Sequence, residues 1–289
     1  CKDSSSDTPD SVKQADEGSP AAPVVDPMTA EHVLYSPERK LPVGSIVTEI
    51  ETMKMVDAKM KVAMAGRELD GLSGQDGSKK EIRTITGENT VELHFATNEL
   101  KTDTTVMGAK QPQTVKTGEL VSKTIVFTRE GGTWAGVFKS GEATEKQKEK
   151  LTEEIKMLNE PDEAQILGVT PRKVGDSWDV DVSKLSSMGS GGTVPTGSFN
   201  VTFKSIEDYQ GHSCGVFECD IDMTAKTEEG FTIRLNGMMT VHHSLKYCTL
   251  LKSYTEANMT VSGTLQGGAG SIKIEGIAKT HQSNEVKLP

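Results

Sequence analysis

Two short stretches hold the densest set of reactive side chains in the chain. "HSCGVFECDID" (212–222) and "VHHSLKYC" (241–248) bring His212, Cys214, Cys219, His242, His243 and Cys248 into 37 residues of a 289-residue sequence. A zinc site would need thiolates and imidazoles converging tetrahedrally, usually seeded by a Cys-x-x-Cys pair. No such pair is present, and neighbours His242 and His243 would point to opposite faces of a strand. No metal and no other cofactor is therefore expected. A disulfide fits the cysteines better. Cys214 and Cys219 lie five residues apart, on opposite faces of a strand, so Cys248 can bridge either; Cys214–Cys248 is the favoured pairing. The aspartate pairs 179/181 and 220/222 offer oxygen ligands, but two carboxylates are too few to hold calcium, and wet strand faces account for them. "TGSFN" (196–200) and "SMGSGG" (187–192) lack the Gly-x-Ser-x-Gly elbow of a hydrolase. "GSGG" (189–192) lacks the Lys-Ser/Thr of a phosphate loop. With no nucleophile, base and orienting group in view, the chain reads as non-enzymatic. Adaptable apolar side chains remain. Met60, Met64, Trp134 and Trp178 are the candidates to line a ligand site, with core filling as their other use.

The elements that would position these residues are mostly strands. "AKMKVAMA" (58–65) alternates Met60, Val62 and Met64 with Lys59 and Lys61. "TVELHFAT" (90–97), "SWDVDV" (177–182), "SFNVTF" (198–203), "FTIRL" (231–235) and "SIKI" (271–274) repeat the pattern. Period-two alternation marks strands with one buried and one wet face, typical of antiparallel sheets. "DGLSGQDG" (70–77), "REGG" (129–132), "SSMGSGG" (186–192) and "TEEG" (227–230) read as turns, the last joining 216–226 and 231–244 as a hairpin. One helix is expected over 142–160. Leu151, Ile155 and Leu158 form its apolar stripe, its first half is charged, and Pro161 closes it. "SPERKLPVGSIVTEI" (36–50) and "TPRKVGDSWDVDV" (170–182) share a Pro, Arg-Lys, Val-Gly, Ser order, which suggests an internal repeat. The predicted fold is mainly β: antiparallel curved sheets, as two similar lobes or one continuous sheet, with one main α-helix between the halves. The segments are a tether (1–29), a first β lobe (30–141), the linking helix (142–160) and a second β lobe (161–289).

Composition narrows the setting. Net charge is −10 and aromatics are 4%, so nucleic acid, which demands a basic face, is not an expected partner. No apolar run approaches the roughly 20 residues of a bilayer-spanning helix. "CKDSSSDTPDSVKQADEGSPAAP" opens on Cys1 and continues with residues too polar to order themselves by burial. This opening resembles the mature N-terminus of a bacterial lipoprotein, in which the first cysteine is acylated. The resemblance implies lipidation at Cys1, attachment to a membrane through acyl chains with the polar stretch as a leash, and a cell-envelope location. Lys2 implies an outer membrane, facing the periplasm. "RKVGDSWDVDVSKL" followed by "GSFNVTFKSIEDYQGHSCGVFECDIDM" resembles β-rich envelope lipoproteins with a Gly-Asp-x-Trp motif and, distantly, the lipoprotein-carrier fold. The expected role is a lipid-anchored envelope protein acting through protein–protein contact or assembly. The alternative is a carrier that holds a lipid or other hydrophobic ligand on a curved sheet. These readings imply an envelope protein or a lipid as partner.

Overall fold

The computed structural model describes residues 26–185, 193–227, 230–265 and 270–289. Cys1, most of the tether and the "SSMGSGG" stretch lie outside the described residues. The strands are β1 Ile46–Met64, β2 Arg67–Gly87, β3 Thr90–Val106, β4 Ala109–Lys110, β5 Thr114–Thr117, β6 Thr124–Glu130 and β7 Thr133–Phe138, then β8 Ser177–Asp179, β9 Thr196–Tyr209, β10 His212–Lys226, β11 Thr232–Ser244, β12 Thr249–Thr264 and β13 Gly270–Lys287. Two helices, α1 Glu145–Asn159 and α2 Asp162–Leu167, and a 3-10 turn at Val182–Lys184 lie between β7 and β9. The protein is mainly β, an open, curved antiparallel sheet.

One sheet runs β7-β6-β3-β2-β1-β13-β12-β11-β10-β9-β8, with β4 and β5 beside β3. The two halves meet where β1 pairs with β13, from Ile46 opposite Lys287 to Met64 opposite Gly270. The first and last long strands are thus neighbours in the middle of the sheet. The expected hairpin forms between β10 and β11. β1 carries a bulge at Val56–Asp57, where Asp57 adopts φ 50°. The bulge keeps Val47, Glu49, Glu51, Met53 and Met55 on the same face as Ala58, Met60, Val62 and Met64, which we term the inner face.

Two cores occupy the flanks of that face. At one flank, Phe199, Val201 and Phe203 of β9 and Phe217, Cys219 and Met223 of β10 pack under Leu34, Leu167, Val180, Val182 and Leu185. Phe203 and Phe217 stack with ring centroids 4.8 Å apart. At the other flank, Leu93, Phe95, Leu120, Ile125 and Phe127 pack with Trp134 and Phe138 against Leu151, Ile155 and Leu158 of α1. The helical stripe read from the sequence is the stripe that packs. α1 begins in a capping box: Gln147 N–H donates to Thr144 Oγ1 at 3.2 Å, and Thr144 N–H donates to Gln147 Oε1 at 3.0 Å. The helix closes at Asn159, and α2 is a separate turn after Pro161.

The expected turn at 70–77 is instead the middle of β2. Gly71 and Gly77 sit there because the sheet bends over methionines of β1. A Cβ on Gly71 would overlap the Thr105 carbonyl oxygen and approach Met60 Cε at 2.8 Å, and one on Gly77 would touch Met53 at 3.5 Å. Glycine inside a strand here marks close approach, not a reversal. Gly237 on β11 and Gly276 on β13 face the same way, with a Cβ at Gly276 lying 2.5 Å from Ala58 Cβ. Met55, Ala58 and Ala257 are almost fully buried, although β1 and β12 pack extensively only on their sheet neighbours. Curvature toward the inner face accounts for both observations.

Candidate functional site

The inner face divides along the strands into a filled end and an open end. Residues 26–45 cross the filled end as a strap. The His32 backbone pairs with Arg172, Arg39 donates from Nη1 to the carbonyls of Val33 and Leu245 at 2.8 and 2.9 Å, and Gly44 N–H donates to the Ile85 carbonyl at 2.8 Å. Leu34 is fully buried, and His243 hydrogen-bonds its backbone. Burial holds the His243 imidazole neutral by depressing its pKa to about 4. Tyr35 lies where Glu163, Arg129 and Cys248 all influence it, and burial raises its hydroxyl pKa. The strap therefore touches both flanks of the sheet.

Toward the open end the inner face becomes apolar row by row. Across the central strands, Met60 of β1 is opposite Ile274 of β13, which is opposite Val261 of β12, which is opposite Ile233 of β11. The neighbouring rows hold Val62 and Ile272, and Met259 and Leu235. Met60 is 5% exposed and Met64, at the rim, 43%. Among the described residues no helix makes extensive contact with β1, β11, β12 or β13, although Leu34 of the strap shares a core with Met239 and Val241 of β11. The outer face of the same strands is charged and threonine-rich, with ion pairs such as Lys279–Glu256 at 3.0 Å and Lys273–Glu275 at 2.6 Å. Two shallow depressions, of about 320 and 270 Å³, lie on that outer face, one lined by Thr240, His242, Lys252, Tyr254 and His281 and the other around Asp220, Asp222 and Asn236.

Between the two ends lies a band of ionisable residues. Glu49 is opposite Glu81 on β2 and Asn284 on β13; one row on, Glu51 is opposite Lys79 and Gln282. Lys79 Nζ sits 2.8 Å from Glu81 Oε1 and 3.8 Å from Glu49 Oε1. Glu154 of α1 and Arg83 of β2 complete the group. Burial raises the pKa of Glu51 and Glu81, and it raises Glu154 to about 7, with the Glu81 carboxylate adding to the effect. Lys79 is held charged by Glu81 and Glu49 against its own desolvation.

The residues singled out from sequence are dispersed. Met60 and Met64 lie on the inner face. Trp134 and Trp178 stand on β7 and β8, the opposite edges of the sheet, each in its own flanking core. Trp178 Nε1 donates to the Ile166 carbonyl at 2.7 Å, and the Arg172 guanidinium lies 4.7 Å from its ring centroid. The four side chains do not form one lining. The bridge expected between Cys214 and Cys248 is not formed: both, with Cys219, are free thiols. Cys214 is buried in β10 with its sulfur 3.3 Å from the carbonyl oxygen of His212, whereas Cys248 sits in the β11–β12 turn at φ 46°. Burial raises Cys214 to about 11 and Cys219 to about 12, so neither is a thiolate nucleophile. Among the described residues no His, Cys, Asp and Glu side chains gather to hold a metal ion. Asp222 forms a two-point pair with Arg234, and Asp181 caps the 3-10 turn. The ionised band escaped the sequence reading, though it left a signal: Glu49 and Glu51 fall in phase with Val47, Met53 and Met55, on the buried side of the alternation.

No protein-family profile and no curated protein sequence matches the chain. Among solved structures, lipovitellin is similar over 86% of this chain and 26% of its own, at 9% identity and TM-score 0.46. This chain therefore spans only 26% of that one. The outer membrane protein OprG from Pseudomonas aeruginosa aligns over 87% of this chain and 99% of its own, at 7% identity and TM-score 0.20. A putative outer membrane lipoprotein-sorting protein domain from Vibrio parahaemolyticus aligns over 86% and 87%, at 11% identity and TM-score 0.16. Such low scores carry no reading of function, which rests on the geometry of the chain itself.

Proposed function

We propose that the protein is a non-catalytic binding module that holds a lipid acyl chain, or a hydrophobic ligand of similar shape, against the inner face of its sheet. One observation carries this reading. The open end of that face is a continuous apolar surface contributed by β1, β11, β12 and β13, and among the described residues no helix packs extensively over it. Covering such a surface with hydrocarbon is favourable by about 25 cal/mol per Å² of apolar area removed from water. Methionines at Met53, Met60, Met64 and Met259 suit a chain of variable length and unsaturation, because the thioether side chain adapts its shape at little cost.

Assembly through strand pairing has less support. The edge strands β7 and β8 are short, six and three residues. Asn159 covers β7 by accepting from Trp134 N–H at 2.8 Å and donating to the Trp134 carbonyl at 3.1 Å. A short, side-chain-capped edge is a poor template for another strand.

The test is binding of a fluorescent fatty-acyl probe to the full chain, with Ile274→Lys as the control. Saturable binding that falls at least about tenfold in the variant, a difference of about 1.4 kcal/mol, supports the reading. Equal binding by both proteins, or none by either, sinks it.

A further inference from the structure

The inner face is not uniformly apolar, and the band that interrupts it has an unbalanced chemistry. Four carboxylates, Glu49, Glu51, Glu81 and Glu154, meet two cations, Lys79 and Arg83. Lys79 is committed to Glu81 and Glu49. Glu51 has no short ion pair and lies one row from Met53, where the apolar surface begins. A second, independent feature points the same way. Asn284 is 5% exposed, sits opposite Glu49 on the inner face, and its Oδ1 is buried with no hydrogen-bond partner. Its Nδ2 donates to the Leu250 carbonyl of β12 at 2.7 Å, while its neighbour across the sheet on the other side is Glu49 of β1. Buried acceptors without donors are costly. Here a carboxylate surplus and an orphan amide oxygen share one spot, so the missing component is a cationic hydrogen-bond donor.

We infer that the ligand is an amphiphile with a protonated amine head, seated between Glu49, Glu51 and the Asn284 amide oxygen, with its tail running along Met53, Met60 and Ile274 toward the open rim. This deepens the acyl-binding reading and rests on it. An ammonium supplies three donors, matching the two carboxylates and the amide. A carboxylate head would meet the same charges with the wrong sign, because Lys79 is already paired. Burial raises the Glu51 pKa, with the neighbouring Glu49 adding to it and Lys79 opposing, so a cation seated there would favour its charged form.

The experiment is competition for the fluorescent acyl probe at pH 7.5 by octadecylamine, octadecanol and stearate, which share one tail. The inference expects the amine to bind about tenfold more tightly than the alcohol, with stearate weakest. Glu51→Gln should bring the amine down to the level of the alcohol. Glu49→Gln serves as the second variant. Glu256→Gln on the outer face should leave the preference intact, which separates a seated head from general attraction to an acidic protein. An alcohol that binds as well as the amine, a preference for stearate, or an amine preference untouched by Glu51→Gln and Glu49→Gln overturns the amine head and leaves acyl binding standing. Failure of all three competitors and of the probe overturns both.

Discussion

Cys214 and Cys219 differ from Cys248 in a way that alkylation can read. The first two are buried, with pKa values pushed to about 11 and about 12, whereas Cys248 is half-exposed in a turn. Brief iodoacetamide treatment of the native protein at pH 8 should mark Cys248 and spare Cys214 and Cys219, as peptide mass spectrometry would show; labelling of Cys219 would mean that its core opens readily. At this scale the sequence was a partial guide. Opposite faces for Cys214 and Cys219 followed from strand periodicity, and Cys219 does join the core of the second half. That Cys214 and Cys248 stay unbridged did not follow, because spacing along a chain says nothing of where a turn residue such as Cys248 comes to rest. The same limit applied to Met60 and Trp178: both types read as apolar and adaptable, and only the sheet order separates an inner-face residue from one beneath an edge.

Among the elements, α1 and β2 teach opposite lessons. α1 was legible because its signals are local: the Leu151–Ile155–Leu158 stripe and Pro161; the Thr144 cap that starts it was not read. Thr144→Ala removes the Oγ1 that accepts from Gln147 N–H, leaving only the Thr144 N–H to Gln147 Oε1 half of the capping box, and should cost about 1 kcal/mol of stability, measured by chemical denaturation. β2 was misread because its glycines serve a tertiary purpose. Gly71→Ala forces a methyl group against the Thr105 carbonyl and Met60. It should destabilise by more than about 2 kcal/mol, well above the usual cost or gain of a surface Gly→Ala change. A neutral result would mean that the bend in β2 is not fixed by this contact. Gly44 and Gly175, which precede the strands in the two similar stretches at 36–50 and 170–182, do share a positive φ, of 94° and 96°. The strands that follow do not match: β1 runs 19 residues at the centre of the sheet and β8 only 3 at its edge.

For the whole molecule, two buried groups pull the pH dependence in opposite directions. Glu154 has its folded pKa raised to about 7, so the folded state is favoured while it is protonated, and stability is lost as pH rises from the unfolded carboxylate range through about 7. Glu51 and Glu81 share that sign. His243 has its folded pKa lowered to about 4. Its contribution is complete above the unfolded value near 6.5 and is lost as pH falls toward 4. The two effects offset each other between these limits, which should leave the native protein only weakly pH-dependent in mild acid. Glu154→Gln removes one side of the balance. Thermal melts should show the variant more stable than the native chain at pH 8 and falling more steeply between pH 6.5 and 4.5. Parallel curves for the two proteins would mean that Glu154 is not desolvated beneath α1. None of this was visible in composition. It depends on which carboxylates the sheet turns inward, and a net charge of −10 does not sort them.

The pairing of β1 with β13 also sets an order of events during synthesis. The strand that completes the centre of the sheet is the last 18-residue strand to leave the ribosome. Until it emerges, each half can gather its own flanking core, but β1 and β12 remain long open edges with methionine and aliphatic side chains on one face. Such edges recruit each other between molecules. A nascent chain of this protein is therefore most vulnerable to aggregation while β13 is still missing. A ribosome-stalled chain lacking β13 should associate with holdase chaperones that release it once that strand is added, which would make β13 the timing device of biogenesis.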